Sequence, residues 1–227
     1  MLSVPGLCWL CRMPLALASW GFCSVCCRVL FITQTVCPQC GLPAAFSALP
    51  CGRCLQKPPP WQQLVMVNDY VSPLSSLIHR LKFSRQPEVA RALARLLLLA
   101  VLRARREREL PLPDRLISVP LHPRRQWRRG FNQSDLLCRP LAHWLASAWA
   151  STTLARVRAT PAQHQLSARR RKHNLRHAFR LELPVRGLHI AIVDDVVTTG
   201  STVAEIAQLL LRSGAATVQV WCLCRTL

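Results

Sequence analysis

The stretch Ile190-Ala191-Ile192-Val193-Asp194-Asp195-Val196-Val197-Thr198-Thr199-Gly200-Ser201-Thr202 constrains the fold more than any other part of the chain. Its apolar, β-branched start reads as a strand buried on both faces, the pattern of a parallel sheet. Two carboxylates follow, then a loop of hydroxyls and one glycine. From Val203 to Arg212 the apolar spacing is that of an amphipathic helix. Strand, acidic pair, loop and helix in this order predict an open α/β sheet whose ligand lies beyond the carboxyl ends of the strands. A helix N-terminus offers free N–H groups and partial positive charge to a phosphate. Gly200 permits close backbone approach, and the hydroxyls of Thr198, Thr199, Ser201 and Thr202 can donate to phosphate oxygens. Asp194 and Asp195 suit ribose hydroxyls, directly or through Mg²⁺.

This stretch resembles the phosphoribosyl-pyrophosphate (PRPP) loop of type I phosphoribosyltransferases. The resemblance implies that Asp194 and Asp195 hold the ribose hydroxyls. It places Val196, Val197, Thr198, Thr199, Gly200, Ser201 and Thr202 with them around PRPP, the last five as the cradle of its 5-phosphate. Many members carry a second glycine where Ser201 stands here, and a serine leaves room for a cradle.

The other end of the chain carries a different constraint. Cys8-x2-Cys11, Cys23-x2-Cys26, Cys37-x2-Cys40 and Cys51-x2-Cys54 recur with spacers of eleven, ten and ten residues. Two such knuckles make one tetrahedral Zn²⁺ site, so the eight thiols predict about two structural Zn²⁺. Sequential pairing is the simplest, and interleaved pairing satisfies the same spacing. So short a segment buries little core alone, so metal binding supplies its folding energy. Cys27 reads as a spare, and Cys138, Cys222 and Cys224 as core thiols. The proline run Pro58-Pro59-Pro60 before Trp61 is stiff. The expected organisation is a double zinc ribbon over 1–57, a linker over 58–63 and an α/β domain over 64–227.

No apolar run is long enough for a membrane span: Leu96 to Leu102 is bounded by Arg95 and Arg103. The N-terminus lacks the basic start of a signal peptide, so a cytoplasmic location is expected. There the many cysteines favour metal ligation over disulfides. The net charge of +20 is concentrated in residues 119–186, with fourteen basic residues against two acids. That imbalance favours a polyanionic partner, nucleic acid first. Arg169, Arg170, Arg171 and Lys172 form its densest cluster and are candidates for single-stranded DNA, although such a cluster can also be a solvated face. Trp61 and Trp127, beside basic residues, are candidates for base stacking.

Between the ends, 64–70 reads as a strand, Pro73 to Phe83 as a helix, Pro87 to Arg106 as a second helix and 116–120 as a buried strand. An Arg-rich loop follows, then a helix from about Ser134 to Trp149, and a basic arm from Arg158 to Arg180. The CxxC array, the segment Tyr70…Leu81-Lys82-Phe83, the run Val119-Pro120…Arg129-Gly130-Phe131-Asn132-Gln133-Ser134, the arm's Gln163…Arg171…Asn174…Phe179 and the loop at 194–202 fall in order along the chain. Together they resemble the ComF/GntX family, associated with natural competence and with the use of extracellular DNA as a nutrient. The resemblance implies a type I phosphoribosyltransferase-like sheet with helices on both faces. It implies a pyrophosphate loop at Arg124, Arg125, Arg128, Arg129 and Gly130, with Lys82 a further cation for the leaving group. It also implies Mg²⁺ with PRPP, single-stranded DNA and the DNA-uptake machinery as partners, with no acceptor base named. Three readings follow: a PRPP-binding protein that handles DNA, an active transferase onto a nucleobase-like acceptor, and a zinc-ribbon adaptor on a degenerate transferase fold.

Overall fold

The computed structural model describes residues 6–31, 34–83, 86, 88–121, 127, 129–157 and 178–226. The implied pyrophosphate-loop residues Arg124, Arg125 and Arg128, and the candidate DNA contacts Arg169, Arg170, Arg171 and Lys172, lie outside them.

The described elements are helices α1 (Ser24–Leu30), α2 (Gly52–Gln56), α3 (Leu74–Phe83), α4 (Val89–Arg108), α5 (Gln133–Leu145) and α6 (Ser201–Arg212). The strands are β1 (Gln63–Asp69), β2 (Arg115–Ser118), β3 (Ala148–Trp149), β4 (Leu154–Arg156), β5 (Phe179–Leu181), β6 (His189–Val197) and β7 (Thr217–Arg225). Five strands form one parallel sheet in the order β1-β7-β6-β2-β3, and β4 and β5 pair antiparallel apart from it.

Period-two alternation along the strands sorts the core into two layers. Val65, Val67, Leu116, Ala191, Val193, Trp221 and Leu223 face α3, α4 and α5. Leu64, Met66, Ile117, Ile190, Ile192, Val218, Val220 and Cys222 face α6 and the β4–β5 hairpin. Helices therefore cover both faces. The fold is a type I phosphoribosyltransferase-like sheet preceded by two four-cysteine knuckle units. Helix α4 buries Leu93, Leu96, Leu97 and Val101 along one stripe, each worth roughly 1.5–3 kcal/mol of transfer free energy.

Two elements differ from the sequence expectation. Helix α5 stops at Leu145, not near Trp149, because Ala146 takes a left-handed conformation at φ 51°. Ala148 and Trp149 then pair with Arg115 and Leu116 and cover what would be an open sheet edge. Periodicity missed this because Trp144, Leu145 and Trp149 continue a helical spacing and no glycine or proline marks the turn. Strand β6 also runs past the apolar stretch to Val197, since its ladder with β7 continues through Asp194, Val196 and Val197. The acidic pair is therefore built into a strand, and α6 starts two residues early, at Ser201.

The cysteine segment is a tandem repeat. In each half the first CxxC makes a tight turn closed by a small bridge, Leu7 to Pro14 and Val36 to Pro43. Arg12 and Gly41 hold equivalent left-handed positions after it, at φ 63° and 71°. Cys23 and Cys51 then stand at the N-caps of α1 and α2. The first half packs on the α4 side of the sheet, with Gly21 so close to Ala92 that a Cβ there would meet it at 2.2 Å. The second half packs beside β1 on the opposite layer, where a Cβ on Gly41 would meet Leu64 at 2.8 Å.

Candidate functional site

The carboxyl ends of β2 and β6 open into a cleft of about 510 Å³. Its walls carry Asp194 to Thr198 and Gly200 to Val203 from the strand, loop and α6, Lys82 and Phe83 from the end of α3, Val119 to Leu121 after β2, and Arg129, Gln133 and Arg156. The cleft lies where strand order reverses between β6 and β2, the place at which open α/β sheets bind their ligands.

The acidic pair is held by side chains from two helices, α3 and α5. Asp195 is buried and forms an ion pair with Lys82. Gln133 Nε2 donates to Asp195 Oδ1 at 3.2 Å, and Gln133 Oε1 accepts from Arg129 Nη1 at 2.5 Å. Arg129 in turn lies 5.3 Å over the Phe83 ring. Asp194 Oδ1 accepts from Ser134 Oγ at 3.1 Å and from the Asp195 backbone N–H at 2.9 Å. Asn132 fixes the start of α5, accepting from the Ser134 N–H at 3.2 Å and donating to Val119 O at 3.2 Å. Burial first, then the charge of Asp195, pushes the Asp194 carboxyl up to about 8, against the pull of Lys82 and Ser134. A cation or a donor-rich ligand arriving in the cleft favours the ionised form of such a carboxyl.

The loop beside the pair is short and tight. Gly200 caps α6 at φ 77°, in the left-handed region that a side chain disfavours. Thr199 Oγ1 and Ser201 Oγ lie 2.9 Å apart, and Thr198 and Thr199 are exposed. Two hydroxyls, a glycine turn and the first turn of a twelve-residue helix make a concave array of donors.

Sequence reasoning placed Asp194, Asp195 and the loop together, and the structure does the same. It also brings Arg129 to the cleft, with Gly130 in a left-handed turn at φ 83°. It does not support Trp61 as a stacking platform: that ring is buried, its Nε1 donating to Gln39 O at 2.7 Å. Trp127 is 89% exposed. The roles of Gln133 and Ser134 as holders of the carboxylates, and of Lys82 as partner of Asp195, were missed. Their signal was the dense polar run Asn132-Gln133-Ser134 at a helix start, where side chains can point only at the cap or at the neighbouring strand.

The cysteines form two sequential groups, Cys8, Cys11, Cys23, Cys26 and Cys37, Cys40, Cys51, Cys54. Within each, all four sulfurs lie within 4.8 Å of one another, so each group can bind one zinc ion. Backbone N–H groups point at sulfur, from Cys23 to Cys8 Sγ at 3.4 Å and from Cys51 to Cys37 Sγ at 3.2 Å. Burial raises the Cys8 and Cys37 thiols, but hydrogen bonds from the backbone of Cys11, Cys23 and Leu10 to the first, and of Cys51, Cys40 and Gln39 to the second, outweigh it and bring them down to about 6 and about 7, toward the thiolates a metal needs. Cys27 stands outside the first group, with Arg95 Nη1 3.8 Å away. Cys138, Cys222 and Cys224 are buried core thiols.

Fold and cleft together define a phosphoribosyltransferase-type α/β protein, and a family model described as "Phosphoribosyl transferase domain" matches residues 142–227. The chain is 74% identical to DNA utilization protein YhgH of Salmonella typhi over the full length of both. It is 44% identical to Competence protein F of Haemophilus influenzae over 220 residues, 95% of each chain. The chain belongs to the ComF/GntX family of DNA utilization and competence proteins. Among solved structures it is similar to an allosteric regulatory enzyme of purine biosynthesis, with 19% identity and a TM-score of 0.43, covering 64% of this chain and 30% of that one. No helix among the described residues is long and apolar enough to cross a membrane.

Proposed function

We propose that this protein binds PRPP, or a closely related phosphoribosyl compound, in the cleft and serves the use of taken-up DNA, contacting single-stranded DNA through its basic stretch. The observation that carries the reading is the acidic pair, clamped by Lys82, Gln133 and Ser134 beside the Thr198–Thr202 loop. Asp194 and Asp195 carry acceptor oxygens suited to vicinal ribose hydroxyls, three of them already held by Lys82, Gln133, Ser134 and the Asp195 N–H, and the loop and helix start carry donors suited to a 5-phosphate. Mg²⁺, when bound with PRPP, supplies charge to the pyrophosphate, and Asp194 and Asp195 are the carboxylates suited to hold it. The DNA role is supported by the names of the full-length relatives and by the charge of residues 119–186.

A second reading, catalysis, is favoured by Lys82 and Arg129 lining the cleft. Both can stabilise negative charge as the ribose C1–O bond breaks and pyrophosphate leaves, while an acceptor nitrogen forms the new bond to C1 and passes its proton to water or to the departing pyrophosphate. The organisation proposed is ribbons over 1–57, linker over 58–63 and transferase-like domain over 64–227.

Calorimetric titration of zinc-loaded protein with PRPP and Mg²⁺, beside anisotropy with a labelled single-stranded oligonucleotide, tests the proposal. Saturable binding of PRPP with one site per chain is expected. Absence of PRPP binding refutes the cleft assignment, and absence of oligonucleotide binding at low salt refutes the DNA role. Release of pyrophosphate on adding nucleobases separates a transferase from a binding protein.

A further inference from the structure

We infer that the second four-cysteine group is the buttress of the phosphate loop, acting through two positioning residues, Arg225 and Trp61, while the first group has no such role. This rests on the loop reading proposed above. Three consecutive carbonyls of the knuckle Cys37–Cys40 are each taken by the transferase-like domain. Pro38 O accepts from the Leu64 N–H at 2.8 Å, Gln39 O from Trp61 Nε1 at 2.7 Å, and Cys40 O from Arg225 Nε at 3.0 Å. The same Arg225 fork donates through Nη1 to Val197 O at 3.1 Å and to Thr226 O at 3.0 Å. Val197 is the last residue of β6, so its carbonyl fixes the point at which the loop departs. On the loop's other side, the edge of the Trp61 ring lies 3.4 Å from the position of a Cβ on Gly200. Thr198 and Thr199 therefore hang between two anchors, and both anchors are tied to one knuckle.

Arg225 is buried, and its planar fork satisfies three carbonyls at once, which an ammonium on a flexible stem does not reproduce. A metal that fixes the knuckle fixes these carbonyls, and loss of the metal releases them. The first group is attached elsewhere. It docks on α4, with Gly21 against Ala92 and Arg95 4.7 Å over the Trp20 ring, on the far layer of the sheet. The two groups thus divide their work: the first supports the α4 face and the second sets the geometry of the site.

The test compares wild type with Arg225→Lys, Trp61→Phe and Cys11→Ser. Readouts are metal content by elemental analysis, amide hydrogen exchange across 196–204, melting midpoint and affinity for PRPP with Mg²⁺. Arg225→Lys should keep the metal content of wild type, yet exchange across 196–204 should quicken about tenfold, as expected for loss of a hydrogen bond from a charged donor, with PRPP affinity falling by a similar factor. Trp61→Phe loses the bond to Gln39 and the Cη2 edge that faces Gly200, so its effect should have the same sign. Cys11→Ser should lose one metal and leave exchange in 196–204 as in wild type. Wild-type exchange in both Arg225→Lys and Trp61→Phe overturns the inference, and so does a loop loosened as much by Cys11→Ser as by Arg225→Lys. If Arg225→Lys does not fold, Trp61→Phe against Cys11→Ser decides. Exchange needs no ligand, so failure of wild type to bind PRPP refutes the proposed function alone.

Discussion

Replacing Asp194 by Asn should make the protein more stable at pH 8 while weakening its ligand binding. The asparagine Oδ1 still accepts from the Ser134 hydroxyl and from the Asp195 N–H, so the two hydrogen bonds that Asp194 Oδ1 makes survive. What disappears is the cost of a carboxylate in a confined site beside a second one. That cost is expressed by the rise of the Asp194 carboxyl from the ordinary 3.8 to about 8, by burial first and by the charge of Asp195 second. About four units at about 1.4 kcal/mol each set a ceiling near 6 kcal/mol. Asp194 is only partly covered and opens onto a wet cleft, with Lys82 nearby, so we expect about 2 kcal/mol. The sign follows from linkage. A folded-state pKa above the unfolded one means that the folded protein keeps a proton the unfolded chain has lost. The associated stability is complete below pH 4 and declines as pH rises toward 8. The variant lacks that decline. Thermal unfolding of zinc-loaded wild type and Asp194→Asn should give midpoints that draw together as pH falls from 8 toward 6, above the acid range in which thiol protonation strips the zinc. At pH 8 the variant should lie about 4–8 °C higher, on the scale for a domain of this size. A difference independent of pH, or a variant less stable at pH 8, refutes the reasoning.

Three further outcomes are expected. Protein purified without chelator should contain close to two Zn²⁺ per chain by elemental analysis, since each four-cysteine group fills one tetrahedral site, and a value near zero contradicts that assignment. Asn132→Ala should lower stability by about 1–2 kcal/mol in urea unfolding, because it removes the cap of α5 and leaves Val119 O without the amide donor. Single-stranded DNA binding should weaken with salt at a log–log slope near −3 if about four phosphates are contacted, and neutralising Arg169, Arg170, Arg171 and Lys172 should flatten that slope, as measured by anisotropy.

The elements with a strong period were legible in the sequence: β1, α3, α4, the β6 core and α6 all lie within a few residues of their expected bounds. So was the repeat of CxxC pairs, because metal geometry needs two thiols at a fixed short spacing and nothing else in a sequence mimics four such pairs. The end of α5 was not legible, because Ala146 adopts a positive φ without the glycine that usually announces it. The acidic pair and the loop were read correctly as neighbours, since they are adjacent along the chain. Their clamps were not, since Lys82, Gln133 and Ser134 reach them from α3 and α5, across sequence separations that no local pattern encodes. The same holds for Trp61. Its place after a proline run beside a basic chain suggested an exposed stacking ring, whereas the fold spends it as a buried strut between a knuckle and Gly200.

We propose that the carboxylates of Asp194 and Asp195 are ligand groups and not structural ones. Calorimetric titration of PRPP with Mg²⁺ into the Asp194→Asn, Asp195→Asn double variant, set beside wild type and a thermal melt of both, tests it most directly. Wild-type protein should bind at one site per chain, and the double variant should remain folded and lose affinity by about a hundredfold or more, as charged hydrogen bonds to two ribose hydroxyls are given up. A folded double variant with the affinity of wild type contradicts the claim.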